Sequence, residues 1–186
     1  MPRRIFSLRD PYFEIPRQVG LEFGWGKLNT WGVRDHVAYQ EQFLHFFRYL
    51  FDNLQSNPEE HPDWRPMALS LSLRAGAIKV YVLSAVSILE GALAELAAHA
   101  GMGEANALHR RSFGAILDLI ESNNAMRAEF EPVWGHLKLL QKYRNFVHVG
   151  NAAKDDGAYW KEISTNEHAI FKACDETLEF VSKKCT

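Results

Sequence analysis

The chain has 186 residues, a formal net charge of −2 and 47% hydrophobic residues, and its mean hydropathy is −0.25. This length fits one domain with an appended arm, and the composition is that of a soluble globular protein able to bury a core. The small negative charge argues against a surface coated with positive charge for nucleic acid, although a local basic groove is compatible with it.

The sequence predicts no contact with a membrane. We find no run of eighteen apolar residues, which a membrane-spanning helix would need. The N-terminal Met1-Pro2-Arg3-Arg4 is not followed by the apolar core of a signal peptide. We therefore predict a cytoplasmic protein.

Residues 1–34 show no helical period. Aromatic and aliphatic residues there alternate with prolines and glycines, a composition that predicts an irregular N-terminal arm. The segment Gly24-Trp25-Gly26-Lys27 invites comparison with a phosphate-binding loop. However, positions 21 and 28 are both leucine, so the loop lacks its leading glycine and its magnesium-binding Ser or Thr.

The first predicted helix starts at Asp35. Its large apolar residues recur at helical spacing and predict a buried stripe: Phe43, Phe46, Phe47, Leu50, Phe51 and Leu54. We interpret His45, beside that stripe, as a packed or surface histidine and not as a metal ligand. The proline-containing stretch from Ser56 to Pro66 predicts a surface loop.

The second predicted helix, from Leu71 to Ala100, is the most apolar and should be central. Its core face comprises Ile78, Val82, Val86, Leu89, Leu93 and Leu96, with Tyr81 and Ile88 extending the burial. Glu90 is the anomaly on this helix. It is either a half-exposed residue whose stem lies on the core, or a carboxylate that pairs with Arg144 or orients His148.

Three further helices complete the predicted fold. One spans Ser112 to Ser122 and turns at Asn123-Asn124, and the next has Pro132 in its first turn. After a polar loop from Lys154 to Tyr159, the last begins at the capping-box sequence Ser164 to Glu167. Its buried residues should be Ile170, Ala173, Cys174, Leu178 and Val181. The fold class is thus all-α, with about five helices over residues 35–186.

The two cysteines predict buried free thiols. Cys174 and Cys185 lie eleven residues apart on one helix, about 16 Å by helical rise. A disulfide needs Cα atoms within about 7 Å, so the pair cannot bridge. The histidines show no metal-ligand spacing, and we predict neither a metal nor another cofactor.

The stretch from Val133 to Gly150 carries polar groups on an apolar helix face. Val133, Leu137 and Leu140 define the seam, and at about 100° per residue Arg144 and His148 fall within roughly 20° of Leu137, on either side. Buried charges need partners, so this face calls for compensating groups.

Arg144 and His148 could together act on one phosphate, because residues four apart share a helix face. Arginine offers a permanently charged fork for phosphate oxygens, and histidine exchanges protons near neutral pH. Such a pair could cleave RNA without a metal ion. The same spacing also occurs in purely structural pairs, and both interpretations stay open.

The segment Leu139 to Gly150, L-L-Q-K-Y-R-N-F-V-H-V-G, resembles the end of the HEPN domain (higher eukaryotes and prokaryotes nucleotide-binding). That family is an all-α bundle whose signature is Arg followed by a polar residue and then His. Its central helix often carries a Glu in an apolar context, as in Ser84 to Leu93 here. Fewer residues separate Arg144 from His148 than is usual in the family.

The resemblance implies a metal-independent endoribonuclease of a toxin–antitoxin or antiphage defence module, acting as a homodimer. Arg144 would bind the phosphate, Asn145 would orient the site and His148 would transfer protons, with Glu90 in support. Lys138 and Lys142 would contact phosphate or RNA. An antitoxin or operon partner is also implied.

The alternative is a non-catalytic HEPN-like module for interaction or nucleotide binding. In that hypothesis, Arg144, Asn145, His148 and Glu90 form a polar network that fixes the register of helices or of a dimer.

Overall fold

The computed structural model describes residues 24–26, 28, 30–53, 71–145 and 158–185, and these residues form eight helices and no strand. The all-α prediction is therefore confirmed. In chain order, the helices are α1 (Trp31–Asn53), α2 (Leu71–His99), α3 (Ala105–Leu108), α4 (Phe113–Ser122), α5 (Asn124–Glu129), α6 (Glu131–Asn145), α7 (Ala158–Thr165) and α8 (Glu167–Lys184).

Helix α2 is the centre of the bundle. It packs against α1, α3, α4, α6, α7 and α8, and α6 and α8 also pack on each other. Most of its predicted core face is buried, from Ile78 to Leu93, as are Tyr81 and Ile88, while Leu96 is partly buried. The prediction of a central helix is confirmed, because a helix surrounded by neighbours needs apolar residues on nearly every side.

Helix α1 differs from its prediction in both start and orientation. It begins at Trp31 and not at Asp35, with the carbonyl of Thr30 accepting the first helical hydrogen bonds. Phe43 and Phe46 are 38% and 39% exposed, so their placement in the buried stripe was wrong. Phe51 is buried as predicted, and the rest of the buried face consists of Val37, Ala38, Glu41 and Leu44. The hydrophobic period did not identify this face, because α1 has apolar residues on several sides and the buried face includes the carboxylate of Glu41.

Each of the five predicted helices has a counterpart, and α3, α5 and α7 are additional. These three have four, six and eight residues, which is too short for a periodicity to show. Asn123 does not simply turn the chain: its side chain accepts a hydrogen bond from the backbone N–H of Met126 at 3.1 Å and caps α5. Ala158 and Tyr159 are helical, so the predicted polar loop does not extend to Tyr159.

The predicted capping box at the start of the last helix was also wrong. Helix α7 continues to Thr165, and the Asn166 side chain makes no cap to α8. Its amide instead donates to the carbonyl of Glu162 at 2.9 Å. Glu167 does not serve in a capping box because its carboxylate binds the guanidinium of Arg74 on α2.

The buried face of α8 agrees with the prediction. Ile170, Ala173, Cys174 and Val181 are fully buried, and Leu178 is 8% exposed. Cys174 and Cys185 are buried free thiols, as expected. The prediction that Pro132 lies in the first turn of α6 is also confirmed.

By length and composition alone, the segment Arg74–His99 of α2 could cross a membrane. The sequence criterion, a run of eighteen apolar residues, did not identify this segment. Neighbouring helices bury 56% of its apolar window. The core helix of a globular protein has the same properties, so this is weak grounds for a membrane span, and the cytoplasmic location stays a prediction.

Candidate functional site around Arg144 and Glu90

The apolar seam of α6 leads to Arg144. Val133 is 5% exposed, and Leu137 and Leu140 are fully buried, because this face packs on α2 and α8. Arg144 follows at the end of the seam and is half-buried. Arg144 thus lies on the apolar face, as expected, but at its half-buried end.

Glu90 lies on α2, half-buried, where it is exposed to the charge of Arg144. Burial raises the pKa of the Glu90 carboxyl, while the positive charge of Arg144 and a hydrogen bond from the backbone N–H of Phe113 act in the opposite direction. These interactions link α2 to α6 and to the start of α4. Glu90 is thus half-buried, as one of its two interpretations held, and close enough to Arg144 for their charges to interact, as the other required.

Glu90 also lines a surface pocket of about 320 Å³ that contains two histidines. His36 comes from α1 and His109 from the turn that follows α3, while Ser87 and Gly91 of α2 form part of the wall. No motif in the sequence distinguishes His36 or His109. No local pattern could have done so, because only the packing of α1 and the α3 turn on α2 brings them to Glu90.

His109 is held by a buried carboxylate. Its Nε2 lies 2.8 Å from Oε1 of Glu95, which is 2% exposed. Burial raises the pKa of Glu95, but hydrogen bonds from Thr30 and His109 and the charges of His109 and His99 hold that pKa below its usual value. An ionised carboxylate only accepts hydrogen bonds, so Nε2 carries the hydrogen and Nδ1 of a neutral ring is an acceptor.

The two lysines proposed to contact RNA are paired with carboxylates. Nζ of Lys138 lies 2.8 Å from Oε2 of Glu121, and Nζ of Lys142 lies 2.6 Å from Oε1 of Glu162. Both pairs are largely exposed, so each contributes little to stability and can exchange partners. Their positive charge is nevertheless partly neutralised along this face of α6.

The remaining predicted site residues lie at the end of α6. Asn145 is exposed and is the last helical residue that the structure describes. Val147, His148 and Gly150 lie outside the described residues, as does the predicted continuation of this helix. Among the side chains that are described, no group of three His, Cys, Asp or Glu residues could hold a metal ion.

Comparisons of the chain with protein-family models, with curated proteins and with solved structures gave no match.

Proposed function

We propose that this chain is a HEPN-like helical protein that cleaves RNA without a metal ion, as part of a toxin–antitoxin or antiphage defence module. Arg144 binds the scissile phosphate, Asn145 orients the site and His148 transfers protons. Glu90 positions the Arg144 guanidinium. A homodimer brings two such sites together in one cleft.

The chemistry needs only these side chains. Transfer of the phosphate to the 2′-oxygen requires a base for the 2′-hydroxyl proton and an acid for the leaving 5′-oxygen, and histidine serves either role near neutral pH. Arginine stabilises the charge that develops on the phosphoryl oxygens. The step breaks the P–O5′ bond and forms the P–O2′ bond, with no other reactant.

The observation that carries this proposal is the interaction of Arg144 with Glu90 at a polar pocket. Glu90 acts on Arg144 and at the same time lines the pocket with His36 and His109. A pocket with two imidazoles, lined by a carboxylate that interacts with a half-buried arginine, is a suitable surround for a phosphate group.

A second candidate is the non-catalytic HEPN-like module, and the ion pairs of α6 favour it. Lys138 and Lys142 each bind a carboxylate on a neighbouring helix. A helix whose cations are neutralised within the chain attracts RNA less strongly. In this case, Arg144 and Glu90 fix the register of α6 on α2.

RNA cleavage in EDTA tests the first candidate. Wild type is compared with Arg144→Ala, Arg144→Lys and His148→Ala, and Lys172→Ala is the matched control because Lys172 is 56% exposed on α8. We expect the first three substitutions to reduce cleavage by about a hundredfold or more, and the control to leave it unchanged. Circular dichroism confirms that each variant is folded.

The outcomes separate the two candidates. No cleavage of several RNA types by a folded wild-type protein rejects the ribonuclease. If Arg144→Ala then lowers stability and changes the mass measured by light scattering, the register-fixing module is supported. Cleavage that survives both the Arg144 and the His148 substitutions places the activity elsewhere.

A further inference from the structure

A second polar groove lies between α1 and α8, with Tyr81 of α2 among its lining residues. It has a volume of about 350 Å³, at the lower end of the range for small-molecule pockets. We call it the α1–α8 groove and define it by the side chains that line it: Glu41, Leu44, His45, Arg48, Tyr81, Asp175, Leu178, Glu179 and Ser182. It shares no lining residue with the pocket next to Glu90.

At one end of the groove, the charged side chains of Arg48 and Asp175 interact with each other and with their neighbours. Arg48 and Asp175 approach to 3.9 Å, and the Arg48 guanidinium stacks on the ring of Phe171 at 4.0 Å. The hydroxyl of Tyr81 donates a hydrogen bond to Asp175 at 2.9 Å. The carboxylate and the cation at this end therefore have partners within the chain.

The other end contains Glu41, which is 8% exposed. Oε2 of Glu41 accepts a hydrogen bond from Nε1 of Trp25, and we find no donor for Oε1 in the described part of the chain. Gly24, next to Trp25, lies against the backbone of Ser182. Segment 24–25 thus lies at this end of the groove, next to a buried carboxyl with one oxygen available.

The available oxygen calls for a hydrogen-bond donor with positive charge. A buried carboxylate is costly unless a cation pairs with it. Three carboxyl groups line the groove, Glu41, Asp175 and Glu179. Asp175 pairs with Arg48 and Glu179 with Lys183 at 2.5 Å, so among the described residues Glu41 is the groove carboxyl without a cation. The carboxylates of the groove do not form a group that could hold a metal ion, so the cation that suits it is organic.

We propose that the α1–α8 groove binds a small primary amine, whose ammonium group pairs with Glu41. An ammonium has three donors and no acceptor. The Ser182 hydroxyl, which donates to the carbonyl of Glu179 at 2.9 Å, keeps lone pairs for a second hydrogen bond. Leu44, Leu178 and the Tyr81 ring form the apolar surface for the body of the amine.

Proton release from Glu41 on binding is a measurable consequence of the proposal. Burial raises the pKa of Glu41 to about 7, against a smaller opposing effect of the Trp25 hydrogen bond. At pH 6 most of the free protein is therefore neutral at this carboxyl, and pairing with an ammonium releases a proton. The other titratable groups that line the groove are His45, Tyr81, Asp175 and Glu179, with Arg48 permanently charged.

Isothermal titration calorimetry of the full chain tests the proposal, with 2-phenylethylamine as the probe and 2-phenylethanol as its neutral counterpart. Titrations at pH 6 in two buffers with different ionisation heats measure the protons released. We expect the amine to bind with release of up to one proton, and the alcohol to bind at least about tenfold more weakly. At pH 8.5 the release should vanish, because Glu41 is then already ionised.

Glu41→Gln should weaken amine binding by at least about tenfold and abolish proton release at pH 6. Glu104→Gln is the control, since Glu104 is exposed and lies outside the groove. Equal binding of the amine and the alcohol, unchanged affinity in Glu41→Gln, or no binding of the amine by folded wild type overturns the proposal. If Glu41→Gln fails to fold, wild type alone is compared at the two pH values. Proton release at pH 6 that is absent at pH 8.5 supports the proposal, and equal release at both pH values overturns it.

Discussion

The contribution of the buried Glu41 carboxyl to the stability of the protein should fall as the pH rises. Its pKa increases from 4.5 to about 7 on folding, and each unit of pKa corresponds to about 1.4 kcal/mol. The stability contributed by the neutral carboxyl is fully present below pH 4.5 and is lost as the pH rises to about 7. Ionisation of this group thus lowers the free energy of unfolding by roughly 3 kcal/mol.

Glu41→Gln isolates this contribution. Glutamine cannot ionise, yet its carbonyl oxygen can still accept the hydrogen bond from Trp25. We expect wild type and variant to have similar stability at pH 4.5, whereas at pH 8 the variant should be more stable by up to about 3 kcal/mol. The assay is urea denaturation followed by circular dichroism between these two pH values.

Comparison with Glu104→Gln controls for the general loss of a negative charge. Glu104 is exposed and its side chain makes no capping hydrogen bond, so its substitution should leave the pH dependence of wild type unchanged. A difference between Glu41→Gln and wild type that stays constant from pH 5 to pH 8 would refute the assignment of a raised pKa to Glu41. A variant less stable than wild type at pH 8 would refute it as well.

Three further measurements test the packing and the polar contacts. Phe51→Ala should lower the free energy of unfolding by about 3 kcal/mol, because Phe51 is 9% exposed. Phe43→Ala should lower it by less than about 1 kcal/mol. Equal losses in the two variants would mean that the buried face of α1 is misassigned. Asn123→Ala should lose about 1 kcal/mol of stability in urea with its N-cap, and an unchanged midpoint would contradict the cap. The hydrogen bonds that lower the pKa of Glu95 stabilise the fold above pH 4.5, and this contribution is lost as the pH falls through the folded pKa. The melting temperature of Glu95→Gln should therefore lie below that of wild type at pH 7, with a gap that narrows in acid; a constant gap would argue against ionised Glu95.

Where one stripe of a helix is apolar, the sequence predicted its burial well. Leu137 and Leu140 of α6 and Ile170 of α8 are fully buried as expected. The prediction failed on α1, because Phe43 and Phe46 offered an apolar period as regular as the true one. A carboxylate such as Glu41 in a buried face runs against every pattern of hydrophobicity, so only the packed structure reveals it.

In the candidate site, too, the sequence predicts residues that stand out on one helix but not those brought together by tertiary packing. Glu90 could be selected because a charge among apolar residues on one helix is visible in the sequence. His36 and His109 could not be selected, since they lie in separate segments and meet Glu90 only through the packing on α2. The pairing of Lys138 with Glu121 likewise depends on how α6 lies against α4.

The position of α2 has a consequence for how the bundle opens. A helix of 29 residues in contact with six others cannot be uncovered on one side without exposing apolar surface shared with the rest. Its central amides should therefore exchange with deuterium only when the whole bundle unfolds. Short helices at the periphery, such as α3, can open separately. The helices packed around α2 should thus unfold together, and the slowest-exchanging amide protons should lie in α2.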